Sequence, residues 1–187
     1  PAPRIPGTRT RRSSESRSDR GPTGQNDSVD EFVIERDDPR ADDVQELLRA
    51  HLTFANEHSP PEDVHALDLT GLLAEDVSFF SLRLRGDLLG VGALRQLDAT
   101  HAEIKSMHTS TAARGRGVGR ALLDHLLAVA HDRGCRRVSL ETGSMAAFAP
   151  ARALYRSVGF SPCGPFGSYV PCRDSAWITL VLDGSGT

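Results

Sequence analysis

Arg114-Gly115-Arg116-Gly117-Val118-Gly119 separates an alternating stretch that ends near Met107 and His108 from an amphipathic one that begins at Val118. Closely spaced glycines let the backbone turn sharply with its N–H groups uncovered, and the following helix adds the unsatisfied donors and partial positive charge of its first turn. The product is a cradle for an anion, phosphate above all. A tight strand-to-helix turn with solvated arginines would use the same residues, so the flanks must decide. A P-loop is excluded because Arg120 and Ala121 stand where Lys and Ser or Thr are required. A dinucleotide fingerprint is excluded by the spacing of Gly115, Gly117 and Gly119 and by the motif's place deep in the chain.

On the C-terminal side, Leu122, Leu123, Leu126, Leu127 and Ala130 recur on a helical period from Val118 to Arg133, and Gly134 stops the helix. On the N-terminal side, 102–109 reads as a strand, with Glu103, Lys105 and Met107 facing one side and Ile104 and Ser106 the other. Further out, 77–84 and 88–94 form a hairpin around Arg85, Gly86 and Asp87. A short strand at 32–34 precedes a helix marked by Val44, Leu47, Leu48, His51, Leu52 and Ala55, and a second helical segment runs from Pro61 to Leu73. After Gly134 come a buried strand at 138–140, a short helix at 150–157 closed by Gly159, and a last strand at 176–182. One-sided helices interleaved with strands predict a mixed α/β sheet with helices packed on it.

Composition narrows the setting. At 187 residues and 20.2 kDa the chain suits one domain. Residues 1–28 carry six Arg against three acids and almost no apolar side chain, which predicts a disordered basic tail before a single domain spanning 29–187. With 22 basic and 25 acidic residues overall, nothing asks for nucleic acid or an anionic membrane as partner. Cys135, Cys163 and Cys172 are too few and too irregular for a disulfide framework and suit a cytoplasmic protein, as does the lack of a signal-like apolar N-terminus or an 18-residue apolar run. His51, His58 and His65 repeat every seven residues, but about 10 Å of helix between neighbours and the break at Pro60-Pro61 argue against a metal site.

Arg114-x-x-Gly117-x-Gly119, together with Ala153-Leu154-Tyr155-Arg156-Ser157-Val158-Gly159-Phe160 further on, resembles the pyrophosphate loop and the "A-L-Y-x-x-x-G-F" segment of the GCN5-related N-acetyltransferase (GNAT) superfamily. The resemblance covers roughly Glu31 to Leu182 and is closest to small bacterial acetyltransferases of unassigned substrate. It implies the acyl-CoA N-acyltransferase fold, a mostly antiparallel sheet with helices on both faces, and acetyl-CoA as co-substrate without a metal. The loop, with Arg114, Gly115, Arg116, Gly117, Val118, Gly119 and Arg120, would hold the pyrophosphate. The strand at 104–108 would splay from that at 138–142 to admit the pantetheine arm, and the amide near Met107 or His108 would polarise the thioester carbonyl.

By the same resemblance Tyr155 would protonate the departing thiolate; the other reading is a half-buried aromatic that packs the short helix. Glu103 ranks first as the general base that deprotonates the acceptor amine, then Glu141, then His108. Glu141 could instead bind a cationic substrate, and Phe54 and His58 would line the acceptor cleft. An asparagine common seven residues before the tyrosine is replaced here by Phe148. The implied reaction is transfer of the acetyl group to a primary amine, that of a small molecule, by direct attack in a ternary complex. The other reading is a non-catalytic acyl-CoA-binding regulatory module. A homodimer is admitted without any residue that specifies it.

Overall fold

The structure, a computed structural model, describes residues 31–59 and 68–182. The expected tail and most of the expected second helix lie outside that range. The described end of that helix is a single turn, α2 (Leu69–Leu72), after α1 (Asp42–His58), and the carboxylate of Asp68 caps it by accepting from the Gly71 N–H. The remaining helices, α3 (Val118–Asp132) and α4 (Ala149–Ser157), lie close to their expected bounds.

Among the described residues seven strands form one sheet: β1 (Val33–Arg36), β2 (Val77–Leu84), β3 (Asp87–Asp98), β4 (His101–Thr109), β5 (Arg137–Gly143), β6 (Ser161–Pro162) and β7 (Ser175–Val181). Their order is β1-β2-β3-β4-β5-β7-β6, antiparallel throughout except for β4 beside β5. The turn between β2 and β3 holds Arg85 and Gly86 at φ 53° and 91°, the positive values that match a two-residue turn to the twist of its strands. β5 reaches Gly143, beyond the expected 138–140, because every residue from Arg137 to Gly143 has a partner on β7.

Helices cover both faces. Val44 and Leu48 of α1 and Leu72 of α2 pack on Phe79, Val91 and Ala93, while Leu123, Leu126 and Ala130 of α3 and Tyr155 of α4 pack on Leu94, Ile104, Val138, Leu140 and Ile178. Burial of this apolar surface is the main driving force for the arrangement.

Two irregularities in β4 shape the centre of the sheet. Only His101, Ala102 and Glu103 pair with β5, opposite Arg137, Val138 and Ser139, so the two parallel strands part after Glu103. On its other edge β4 carries a bulge, because Val91 pairs with His108 and Ala93 with Lys105, leaving Gly92 opposite both Ser106 and Met107. Ser106 takes φ 50°, a conformation that costs a non-glycine residue about 1–3 kcal/mol. The extra residue reverses the alternation. Met107 therefore does not share a side with Glu103 and Lys105, as regular pleating predicts, but turns to the α3 face, where it packs with the cluster of Ile104 and Leu126.

The paired end is held by a polar chain. Arg137 donates to His101 Nδ1 at 3.0 Å, so Nε2 carries the proton and donates to Ser139 Oγ at 2.8 Å, which lies 2.8 Å from Thr179 Oγ1.

Gly90 of β3 lies directly beneath α3, where an added Cβ would stand 2.9 Å from Leu122 and Val118 side-chain carbons and 3.0 Å from the His108 carbonyl oxygen. Gly90→Ala is expected to cost about 1–3 kcal/mol by overpacking, read as a Tm lower by several degrees. Gly164→Ala, with nothing within 4 Å of the new carbon, should leave Tm nearly unchanged.

Candidate functional site

The parting of β4 and β5 opens a cavity of about 530 Å³, bounded by both strands, the end of α1, the start of α3 and the first turns of α4. One wall is the glycine turn. Gly117 is the N-cap of α3 at φ 85°, Gly115 has φ 75°, and a side chain at either would meet no atom within 4 Å. These glycines serve the backbone conformation and leave the amides approachable. The first helical bond runs from the Ala121 N–H to the Gly117 carbonyl, so Val118, Gly119 and Arg120 have no acceptor within the helix and carry the partial positive charge of its first turn. Arg114, Gly115, Gly117, Val118, Gly119 and Arg120 line the cavity; Arg116 does not. The Arg120 guanidinium bonds Asp124 at 2.8 Å.

Met107 and His108 of β4 also line it, as does Ser106, whose buried hydroxyl has no hydrogen-bond partner among the described residues. His108 meets His51 of α1 at 5.1 Å between ring centres. Burial, with the neighbouring His108 and Lys105, brings His51 down to about 4. Burial and Arg114 bring His108 to about 4 as well, so both rings are neutral at pH 7.

Tyr155 enters from α4, with its hydroxyl 3.9 Å from Met107 Sδ and its ring edge-on to Phe160. Burial, reinforced by the Glu141 carboxylate, raises its phenol above the ordinary value and keeps it protonated. Glu141 lies across the gap on β5 and accepts a 2.6 Å bond from Ser175.

Glu103 is placed differently from the solvated edge of a strand. It is buried, 2% exposed, and does not line the cavity. Its Oε1 accepts from the Tyr169 hydroxyl at 2.6 Å, and the Lys105 ammonium stands 3.5 Å away. Tyr169 arrives from the loop before β7, 66 residues along the chain, and no spacing rule in the sequence points to it.

Phe54 lines the cavity at the end of α1, while His58 stacks behind it at 4.5 Å and donates Nδ1–H to the Phe54 carbonyl. Phe148 meets Phe54 edge-to-face at 5.2 Å and covers Gly143, where any side chain would collide with its ring. The structure thus gathers Met107, His108, Arg114, Glu141, Tyr155 and Phe54 around one space and leaves Glu103, His58 and Arg116 outside its lining. Among the described residues no three His, Cys, Asp or Glu side chains are grouped to hold a metal, and no helix is long and apolar enough to cross a membrane.

Residues 41–160 match the Acetyltransferase (GNAT) family. The chain is 44% identical over 149 residues to the uncharacterized N-acetyltransferase YsnE of Bacillus subtilis (strain 168), covering 80% of this chain and 99% of that protein. It is 41% identical over 151 residues to the uncharacterized N-acetyltransferase YedL of Escherichia coli (strain K12), covering 81% and 95%. In fold it is similar to a Bacillus subtilis acetyltransferase solved in complex with CoA, with a TM-score of 0.62 at 19% identity over 81% of this chain and 99% of that one.

The depressed values of His51 and His108 carry a stability consequence. The unfolded chain binds more protons than the folded one between about 4 and 6.5, so stability should fall as pH drops through that window. Urea denaturation at pH 7 and pH 4.5 checks this, and His108→Gln should shrink the difference between the two midpoints.

Proposed function

The chain belongs to the acetyltransferase (GNAT) family and is an acetyl-CoA-dependent N-acetyltransferase, and we propose that its acceptor is a small-molecule primary amine that attacks directly in a ternary complex. The observation that carries this reading is the cavity itself, where an anion cradle, unpaired edges of β4 and β5, a buried tyrosine and a carboxylate converge.

The residues present fit acetyl-CoA. The amides from Arg114 to Gly119 would hold its pyrophosphate, and the main chain of β4 beyond Glu103 would bond its pantetheine arm. The Ser106 hydroxyl offers a further unused polar group beside that path. When bound, acetyl-CoA supplies an activated acyl thioester.

The chain's own groups then divide the work. The amide near Met107 or His108 stabilises negative charge on the carbonyl oxygen. Tyr155, held protonated by burial, gives its proton to the thiolate. Glu141 holds the acceptor's ammonium, and Phe54, with His58 stacked behind it and Phe148 at its edge, forms an aromatic wall for the acceptor's body. Glu103, the first-ranked general base, needs a connection to the cavity because it does not line it. The neutral histidines leave the acceptor region without two further positive charges. A cytoplasmic location suits three free thiols.

Calorimetric titration with acetyl-CoA, followed by a thiol-release screen against polyamines, amino acids, aminoglycosides, aryl-alkylamines and peptide amines, tests this reading. Binding with release on a small amine is expected; release only on peptide amines would overturn the acceptor class. Tyr155→Phe should lower kcat about a hundredfold while the acetyl-CoA Kd stays within twofold.

A further inference from the structure

We propose that Lys105 and Tyr169 form a proton relay that carries the acceptor's proton from the cavity to Glu103. The proposal rests on the amine-acceptor reading above and adds two residues to it.

Glu103 and Lys105 lie two positions apart on β4, before the bulge, and share the α1 side of the sheet, as shown by their partners Arg95 and Ala93 on β3. Lys105 lines the cavity; Glu103 does not. Between them stands one hydroxyl. The Lys105 ammonium donates to Tyr169 Oη at 2.6 Å, and Tyr169 Oη donates to Glu103 Oε1 at 2.6 Å. Both contacts are as short as charge-assisted bonds become, whereas the direct separation from Lys105 Nζ to Glu103 Oε1 is 3.5 Å. The phenol is the shorter route, and a hydroxyl can accept at one side while donating at the other.

The phenol is also held in place. Phe166 meets the Tyr169 ring at 5.2 Å, and Phe166 in turn meets His101 at 5.6 Å, at the paired end of β4. Burial, followed by the charge of Glu103, raises the Tyr169 phenol above its ordinary value, so it passes a proton on without resting as a phenolate. The other charges facing the relay are Arg95 of β3, bonded to Asp76 at 2.8 Å, Glu141 of β5, and His51 of α1, which is neutral.

The transfer balances without any outside reagent. Lys105 first releases a proton to Tyr169 Oη as Tyr169 releases its own to Glu103 Oε1, which frees the lone pair on Lys105 Nζ; an N–H bond of the acceptor's ammonium then breaks as a new one forms on Nζ. The acceptor becomes a free amine, Glu103 becomes a carboxylic acid, and Lys105 and Tyr169 end as they began. Reversal of the chain after product departure returns the proton to water in the cavity.

The test is the pH dependence of kcat/KM between pH 6 and 10, with 2-phenylethylamine and spermidine as acceptors, for the wild type, Tyr169→Phe and Glu103→Gln. Each variant is expected to lose at least about tenfold at pH 7. The deficit should close to within about twofold at pH 10, where the amine increasingly arrives already deprotonated, and the acetyl-CoA Kd should not move. A loss by the same factor at every pH would assign Tyr169 a packing role and overturn the relay, as would unchanged kinetics. Tyr169→Phe keeps the ring and its contacts; Glu103→Gln gives an independent reading should the first variant fold poorly. If the wild type turns over neither amine nor any other small amine of the screen above, it is the acceptor reading that fails. Thiol release with water as acceptor then decides: a neutral-pH loss recovered at high pH supports the relay, and equal release overturns it.

Discussion

Everything in this molecule that bears on chemistry depends on the loss of pairing between β4 and β5 after Glu103 and Ser139. Two adjacent parallel strands that part inside a sheet leave main-chain donors and acceptors without partners, a costly state away from water. The fold tolerates it because the gap is a cavity rather than a void, and because both strands remain paired on their outer edges, β4 to β3 and β5 to β7. At the closed end the chain Arg137, His101, Ser139 and Thr179 ties β4, β5 and β7 together through side chains. The opening is thereby confined to one end, which is where the glycine turn and α4 meet it.

The bulge on β4 decides which side chains reach that opening. Regular pleating would place Met107 with Glu103 and Lys105; the extra residue at Ser106 sends Met107 to the α3 face and leaves His108 on the α1 face against His51. Sequence reading could not find it, because a bulge of this kind usually announces itself with glycine, and here serine holds the left-handed conformation. The helices were legible for the opposite reason. Leu122, Leu123, Leu126 and Ala130 are buried on one stripe, so their period survives folding unchanged. The length of β5 was not legible, since its last residues owe their extended form to β7 rather than to their own apolarity.

The site divides along the same line. The glycine turn could be read from its own spacing, and the place of Tyr155 on the cavity wall from a segment that resembles the family's. The setting of Glu103 could not, because it depends on Tyr169, which approaches from a loop rich in Pro and Gly with no period of its own. The expected acceptor residues Phe54 and His58 do form a stack, but its closure needs Phe148, and Phe148 can lie there only because Gly143 presents no side chain. A substitution noticed in the sequence as a missing amide thus proves to be a packing element, linking the end of α1 to the start of α4 across the gap.

Charge is distributed around the opening with the same economy. The glycine turn proposed as an anion cradle lies at the start of α3, the carboxylate of Glu141 lies across on β5, and the two histidines between α1 and β4 are kept neutral by burial and by neighbouring positive groups. On the proposed reading, a cationic acceptor would therefore meet Glu141 without repulsion from two imidazolium rings. Lys105 is the one lysine in the chain, and its ammonium is held beside Glu103 and Tyr169 on the wall of that region. A buried cation beside the proposed acceptor site would oppose the binding of a second cation if its charge stood alone; the adjoining Glu103 carboxylate offsets it.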